Sequence, residues 1–520
     1  MKTTGRTALA LLLSASATAA TLGAGFAPTA SATTAAARSG GSSSLVWRPC
    51  ATAQGPVGQE CAELTVPVDY ARPGGATLTL AVSRVASTDA ADRRGVLMVI
   101  PGGPGGSGLQ RLSQKGKALQ KQLGGRYDLV AFDPRGVGGS TKASCGIDAA
   151  DRHMVELRSW PDADGRIDDN IARSRRIADA CARNGGPLLR SFSAENEVRD
   201  LESLRIALGE RKLSAWGTSY GSYVAAVYAQ KFPHRTDRWV LDSVADPNPR
   251  RLEQGWMVNT SQATEDRFPD FAAWAADPAR ETHTDPAPGS PVENLRLAAT
   301  PAEIRPLFLR LAARLDRVPR GSTTPGVPLT GNRLRQSLVN QLYSEGAFPS
   351  LARMMKAALA PAGSAAGTPV LTPDISGPLP DTDTAVVVAG MCNDTRWPSD
   401  ISGYAAAVAR DRARYPLTAG LPANLTPCNF WKIAPTHTPT RLTDRGPSNI
   451  LITQSLRDPS TPYFGALKMR EALGQRARMV TNANGGHGMY VTNGNACGDR
   501  TVTAFLRDGV RPAQDTHCPN

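Results

Sequence analysis

The sequence predicts an α/β architecture, a mostly parallel sheet interrupted by a helical insertion, and three observations predict it. Short apolar runs alternate with helix-periodic stretches over residues 45–245, a Pro/Gly-punctuated helical section follows at 246–384, and the strand pattern returns over 385–520. In the first section residues 78–85, 95–100, 127–132, 213–216 and 239–241 read as strands with helical patterns between several of them, the order of βα units. In the middle, 304–318 and 333–343 carry helical spacing, and the stretches 284–291 and 361–380 break it, which reads as a cap. The last section offers 385–389, 449–454 and 477–481 as strands that complete the sheet. No internal repeat is visible, and one core with one insertion accounts for the 520 residues.

Residues 1–32 read as a secretory signal peptide: Lys2 and Arg6 precede an apolar run from Ala8 to about Gly25, and Ala30-Ser31-Ala32 is a small-x-small cleavage pattern. Residues 33–44 have nothing to bury and read as a flexible leader or a trimmed pro-segment. No later segment reaches the ~18 uninterrupted apolar residues of a membrane span, so the expectation is a secreted protein with no membrane partner once the signal is removed. Eight cysteines in an exported chain argue for four disulfides, and pairing of neighbours gives Cys50 with Cys61, Cys145 with Cys181, Cys392 with Cys428 and Cys497 with Cys518. There is no C-x-x-C and the six histidines are scattered, so neither a metal nor a cofactor is implied. The net charge of +13 comes mostly from arginines spread singly, without the basic blocks and interleaved aromatics of a nucleic-acid face.

Gly217-Thr-Ser219-Tyr-Gly221 stands between a short strand-like run and the helical pattern of 223–232. In that context the pentapeptide reads as an elbow that holds a serine nucleophile on a strained turn, rather than as a Gly/Ser turn without chemistry. A serine hydroxyl needs a histidine base and a carboxylate to orient it. In α/β-hydrolases the chain order is Ser, Asp or Glu, His; here Asp458 follows the strand 449–454, and His487 follows 477–481 within Gly485-Gly-His-Gly488. His153, His234, His283, His437 and His517 have no such setting. The oxyanion of the tetrahedral intermediate requires backbone donors. The loop Pro101-Gly-Gly-Pro-Gly-Gly-Ser-Gly108 after the strand 95–100 offers Gly103, opposite the N–H of Tyr220. No Gly-Lys-Ser/Thr follows that loop, which argues against phosphate binding.

On these motifs the chain resembles the secreted tripeptidyl aminopeptidases of the α/β-hydrolase fold, relatives of prolyl iminopeptidase. The resemblance runs from Trp47 to the C-terminus outside the middle insertion. It rests on Val66-Pro-Val-Asp-Tyr70, 101–108, Asp133-Pro-Arg-Gly-Val-Gly-Gly-Ser140, Asp200-Leu-Glu-Ser-Leu-Arg205, 217–221, Asp458-Pro-Ser-Thr-Pro462, Gly486-His-Gly488 and the cysteines. Pro101 stands where prolyl iminopeptidases have histidine, a departure that points to the tripeptidyl branch and weakens a single-proline specificity. The resemblance implies a serine exopeptidase, expected to be monomeric, that acts on peptides or proteins with a free N-terminus and releases tripeptides. Such an enzyme counts from the free amine, and a carboxylate paired with the ammonium does the counting. Glu253, Glu265, Asp266 and Asp270 in the cap are the candidates, and Asp394 faces the cleft or caps a turn. The alternatives are a prolyl-type aminopeptidase of other length preference, an exported carboxylesterase or lipase, and a hydrolase-like binding protein without catalysis.

Overall fold

Parallel strands packed on both faces must be apolar on both faces, and the central strands of this chain are. Val96–Ile100 is buried at every residue and Leu213–Ser219 at all but the last. In the computed structural model, which describes residues 45–519 apart from 51–57, 362, 365 and 366, these runs form the middle of a ten-stranded sheet. The signal peptide expected at 1–32 and the leader at 33–44 lie outside the described residues.

In chain order the strands are β1 (Arg48–Pro49), β2 (Gln59–Pro67), β3 (Thr77–Val85), β4 (Val96–Ile100), β5 (Asp128–Phe132), β6 (Leu213–Ser219), β7 (Thr236–Val244), a small separate hairpin β8 (His283–Thr284) and β9 (Val292–Glu293), then β10 (Ile450–Arg457), β11 (Ala477–Gly485) and β12 (Thr516–Cys518). The sheet order is β1-β2-β3-β5-β4-β6-β7-β10-β11-β12. It is antiparallel from β1 through β3 to β5 and parallel from there on. On one face the helices Ala194–Ala207, Tyr220–Lys231 and Tyr463–Leu473 bury Val198, Leu201, Val224, Tyr228 and Met469. On the other, Gly108–Leu123 and Ala496–Asp508 bury Leu112, Leu119, Val502 and Phe505. The parallel strands therefore end together at one edge, where the loops that follow β4, β6, β10 and β11 meet.

Between β7 and β10 the chain is helical. Gln254–Ala276, Pro301–Arg317, Gly331–Gln341 and Phe348–Leu359 share a core of their own around Phe268, Phe271, Phe308, Leu338, Phe348 and Met355. The pattern at 304–318 becomes Pro301–Arg317, opened by a capping box of Thr300 and Glu303.

One expected strand is not a strand. Residues 385–389 lie in the helix Asp381–Cys392, and the sheet resumes only at Ile450. The run Ala-Val-Val-Val-Ala looks β-like, yet this helix is buried nearly all round, at Thr384, Ala385, Val386, Val388, Ala389 and Gly390. A short apolar run cannot separate a strand from such a helix by period alone. Asp381 at its N-terminus accepts the amides of Cys145, Gly146 and Ile147, tying the insertion to the β5–β6 crossover.

The cysteines form the disulfides Cys50–Cys61, Cys145–Cys181, Cys392–Cys428 and Cys497–Cys518. The second and third share a hydrophobic cluster with Val386, Val388 and Trp397, so the crossover and the insertion pack as one body. Among the described residues no helix is long and apolar enough to cross a membrane.

Candidate active site

β6 ends on Ser219, whose φ of 60° and ψ of −126° are strained for a residue with a side chain. The surroundings leave no alternative to the flanking glycines. A Cβ on Gly221 would stand 2.3 Å from the Pro101 carbonyl oxygen, and one on Gly217 would stand 2.4 Å from the Gly221 carbonyl oxygen. Strand, turn and the helix Tyr220–Lys231 thus present the Ser219 hydroxyl at the C-terminal edge of the sheet.

Asp458 follows β10 and His487 follows β11 at the same edge. Nδ1 of His487 lies 3.0 Å from each oxygen of the fully buried Asp458 carboxylate. That carboxylate also accepts the amides of Ser460 and Thr461, both at 2.9 Å, and the Thr461 hydroxyl at 3.0 Å. With Nδ1–H given to the aspartate, Nε2 carries the free lone pair, the tautomer that a general base requires. Among the described residues no hydrogen bond joins Ser219 Oγ to His487; such contacts are often loose without substrate and tighten on binding. The imidazole is held from the insertion as well: Tyr343 packs edge-on to it at 4.8 Å between centroids. Other histidines are engaged elsewhere, His283 with Asp285 and His517 with Thr481.

The glycine-rich loop after β4 lies directly against Ser219, since a Cβ on Gly102 would come 3.0 Å from Ser219 Cβ and 3.6 Å from its Oγ. Asp133, just after β5, fixes the loop's far end by accepting Ser107 Oγ at 2.6 Å, Leu109 N at 3.1 Å and Gly139 N at 2.9 Å. The helix Asp381–Cys392 roofs the loop, with Val386 against Gly105 and Gly390 against Pro104. Tyr220 opens its helix, so its amide has no acceptor within the helix and is free for a ligand.

The four expected cap carboxylates have different fates. Glu265 pairs with Arg305 and accepts Leu417 N, Asp270 lies between Arg267 and Arg457, and Asp266 is exposed. Glu253 is different. It is 2 % exposed, and neither of its carboxylate oxygens has a hydrogen-bond partner. Burial, with Asp394 nearby, raises its carboxyl well above the usual range. Two residues that the sequence pattern did not single out as a pair stand with it around Tyr220. Glu197 is buried with one unpartnered oxygen; burial, with Asp200 and Asp394 nearby, pushes it up to about 8. Asp394 accepts the Ala194 amide through both oxygens and is pushed up to about 7, chiefly by burial. Glu197 and Tyr220 line a cavity of about 30 Å³ with Pro104, Gly105, Phe192 and Val386. That is room for a group the size of one water molecule beside the glycine-rich loop.

Sheet topology, elbow serine and the loops gathered at one edge define an α/β-hydrolase. A family model described as TAP-like protein matches residues 416–518. The chain is 30 % identical to a tripeptidyl aminopeptidase of Streptomyces lividans over 93 % of this chain and 87 % of that one. It is 28 % identical to the serine protease Hip1 of Mycobacterium bovis, over 91 % and 90 %. A carboxylesterase B of Mycobacterium tuberculosis is 29 % identical over 88 % of this chain and 86 % of its own. The chain belongs to the tripeptidyl aminopeptidase family and is a serine peptidase.

Proposed function

We propose that this enzyme is an exported, monomeric aminopeptidase that releases tripeptides from free N-termini through an acyl-enzyme. Ser219 attacks the scissile carbonyl while His487 takes its proton, and Asp458 steadies the imidazolium that forms. The amides of Gly103 and Tyr220 receive the oxyanion. His487 then protonates the leaving amine, and water, deprotonated by the same imidazole, releases the acyl peptide and regenerates Ser219.

The observation that carries the exopeptidase reading is Glu253, a buried carboxylate with no partner, beside the residue that follows the nucleophile. A buried carboxylate left unpaired is costly, and a substrate ammonium is the charge that would satisfy it. Glu197, near the same Tyr220, lines the small cavity next to the glycine-rich loop. Glu265 and Asp270 already have arginine partners, and Asp266 is exposed to solvent. The catalytic body is assembled from 45–245 and, within 385–520, from β10 onward, while 246–384 with the rest of the helix Asp381–Cys392 forms the cap, after removal of 1–32.

Chromogenic substrates of one, two, three and four residues with a free N-terminus, the three-residue one also acetylated, test the reading. Turnover concentrated on the free three-residue substrate and lost on acetylation is expected. Equal turnover of the acetylated form overturns it. The carboxylesterase among the relatives favours a second reading, an exported esterase, and fast short-chain ester hydrolysis without length dependence would establish that one instead.

A further inference from the structure

We propose that Asp242 and Ser243, at the end of β7, are positioning residues that hold the His487 loop in register with the nucleophile strand. This inference rests on His487 being the general base.

The segment after His487 forms no regular ladder. Tyr490 and Val491 have non-helical backbone angles, and Val491 has a φ of 47°. Its shape is instead set by side chains that take its amides one after another. Gly488 N donates to Ser243 Oγ at 2.8 Å, Met489 N to Asp242 Oδ1 at 2.8 Å, Tyr490 N to Asp242 Oδ2 at 3.0 Å and Val491 N to Asp499 Oδ1 at 3.1 Å. Three consecutive donors immediately beyond the base are thus received by two adjacent residues of one strand.

Asp242 also engages the strand that carries the nucleophile. It pairs in the sheet with Thr218, the residue before Ser219, and accepts Trp216 Nε1 from β6 at 2.9 Å. One carboxylate therefore reads both the strand that carries the serine and the loop that carries the histidine. The arrangement is an expensive one: Asp242 is fully buried, and burial raises its carboxyl above the usual range against the opposing effect of these donors and of Arg111. Ser243 adds a strained φ of 52°. Buried charge and backbone strain on neighbouring residues, with no role in the sheet ladder that an apolar pair could not fill, point to the loop they receive.

The test compares Asp242→Asn and Ser243→Ala in the full chain. Asp242→Asn keeps the shape but turns one acceptor into a donor facing an amide. It is expected to lower kcat per folded molecule by about 10- to 100-fold with KM within about threefold. It should also abolish the downfield proton resonance of the His487–Asp458 pair. Ser243→Ala, which loses one bond only, is expected to lower kcat by about 3- to 10-fold without moving the melting temperature. Wild-type kcat in a folded Asp242→Asn, or in Ser243→Ala where the first variant does not fold, overturns the proposal. His487→Ala separates the two levels. Retained activity there would overturn the base assignment itself, whereas an inactive His487→Ala beside a fully active Asp242→Asn overturns the positioning role alone.

Discussion

The carbonyl of Tyr343 accepts the amide of His487 at 2.8 Å while its ring lies edge-on to the imidazole, and its hydroxyl donates to Ser460 in the turn that carries Asp458 at 2.8 Å. Tyr343 belongs to the insertion, so that segment contacts both the His487 loop and the turn that carries Asp458. Asn493 reinforces the junction by donating to both the Tyr343 and His487 carbonyls. The insertion is therefore part of the packing that fixes the His487–Asp458 pair.

Tyr343→Ala should accordingly act on chemistry. Removing the ring leaves a void beside the imidazole, and the expected result is a fall in kcat of about 10-fold or more with KM little changed. Tyr343→Phe loses only the hydroxyl contact to Ser460 and should stay within about threefold of wild type. Steady-state kinetics on both variants checks this; equal kinetics for alanine and wild type would show that the insertion does not steady the base.

Glu253→Gln separates recognition from stability. The glutamine removes a carboxyl that the folded protein buries without a partner, so the melting temperature should hold or rise. The same change should raise KM for free-amine substrates by about 10- to 100-fold, the worth of a lost charge-assisted contact. The slow turnover of the acetylated substrate should not change. A variant that loses stability and leaves KM alone would mean that Glu253 is structural.

Much of this site was legible in the chain because it depends on order and spacing. Ser219, Asp458 and His487 each follow an apolar run that could be recognised as a strand, and the sheet brings their loops to one edge whatever lies between. The disulfides follow neighbour order for the same reason, since each closes a short local excursion. What periodicity does not carry is the fate of a carboxylate. Glu253 and Asp270 look alike in the sequence, and only packing reveals that one is left unpaired while Arg267 and Arg457 claim the other. Glu197 sits in a helix whose Glu195 and Glu202 form ion pairs, so nothing local distinguishes it. The helix Asp381–Cys392 was hidden by its own hydrophobicity, because an element buried on all sides loses the polar stripe that would give its period away.

The acidic cluster gives stability a pH dependence of defined sign. Glu197 rises from an ordinary 4.5 to about 8 and Asp394 from 3.8 to about 7 on folding, chiefly through burial. A carboxyl that holds its proton more tightly when folded stabilises the fold fully below its ordinary pKa, and that contribution is lost as pH rises through the folded value. Wild type should therefore lose stability relative to Glu197→Gln between about pH 5 and about pH 8, the window set by these shifts. Urea midpoints measured for both proteins across that range provide the comparison. A difference that does not vary with pH would show that Glu197 is not buried in the way described.

The Cys392–Cys428 disulfide should matter more for activity than its share of global stability suggests. It closes a 36-residue separation, for which chain entropy gives ~4 kcal/mol of stabilisation. Cys392 ends the helix that roofs the glycine-rich loop through Val386 and Gly390, and Asp394 lies two residues beyond. Replacing both cysteines by serine frees that helix end first, because Asp381 still anchors its other end to the β5–β6 crossover. Heating the double variant should thus lower kcat/KM for the free three-residue substrate several degrees before far-UV circular dichroism reports unfolding, whereas in the wild type the two losses should coincide. Coincident loss in the variant would mean that the roof and the catalytic body unfold as one unit and that the disulfide acts on global stability alone.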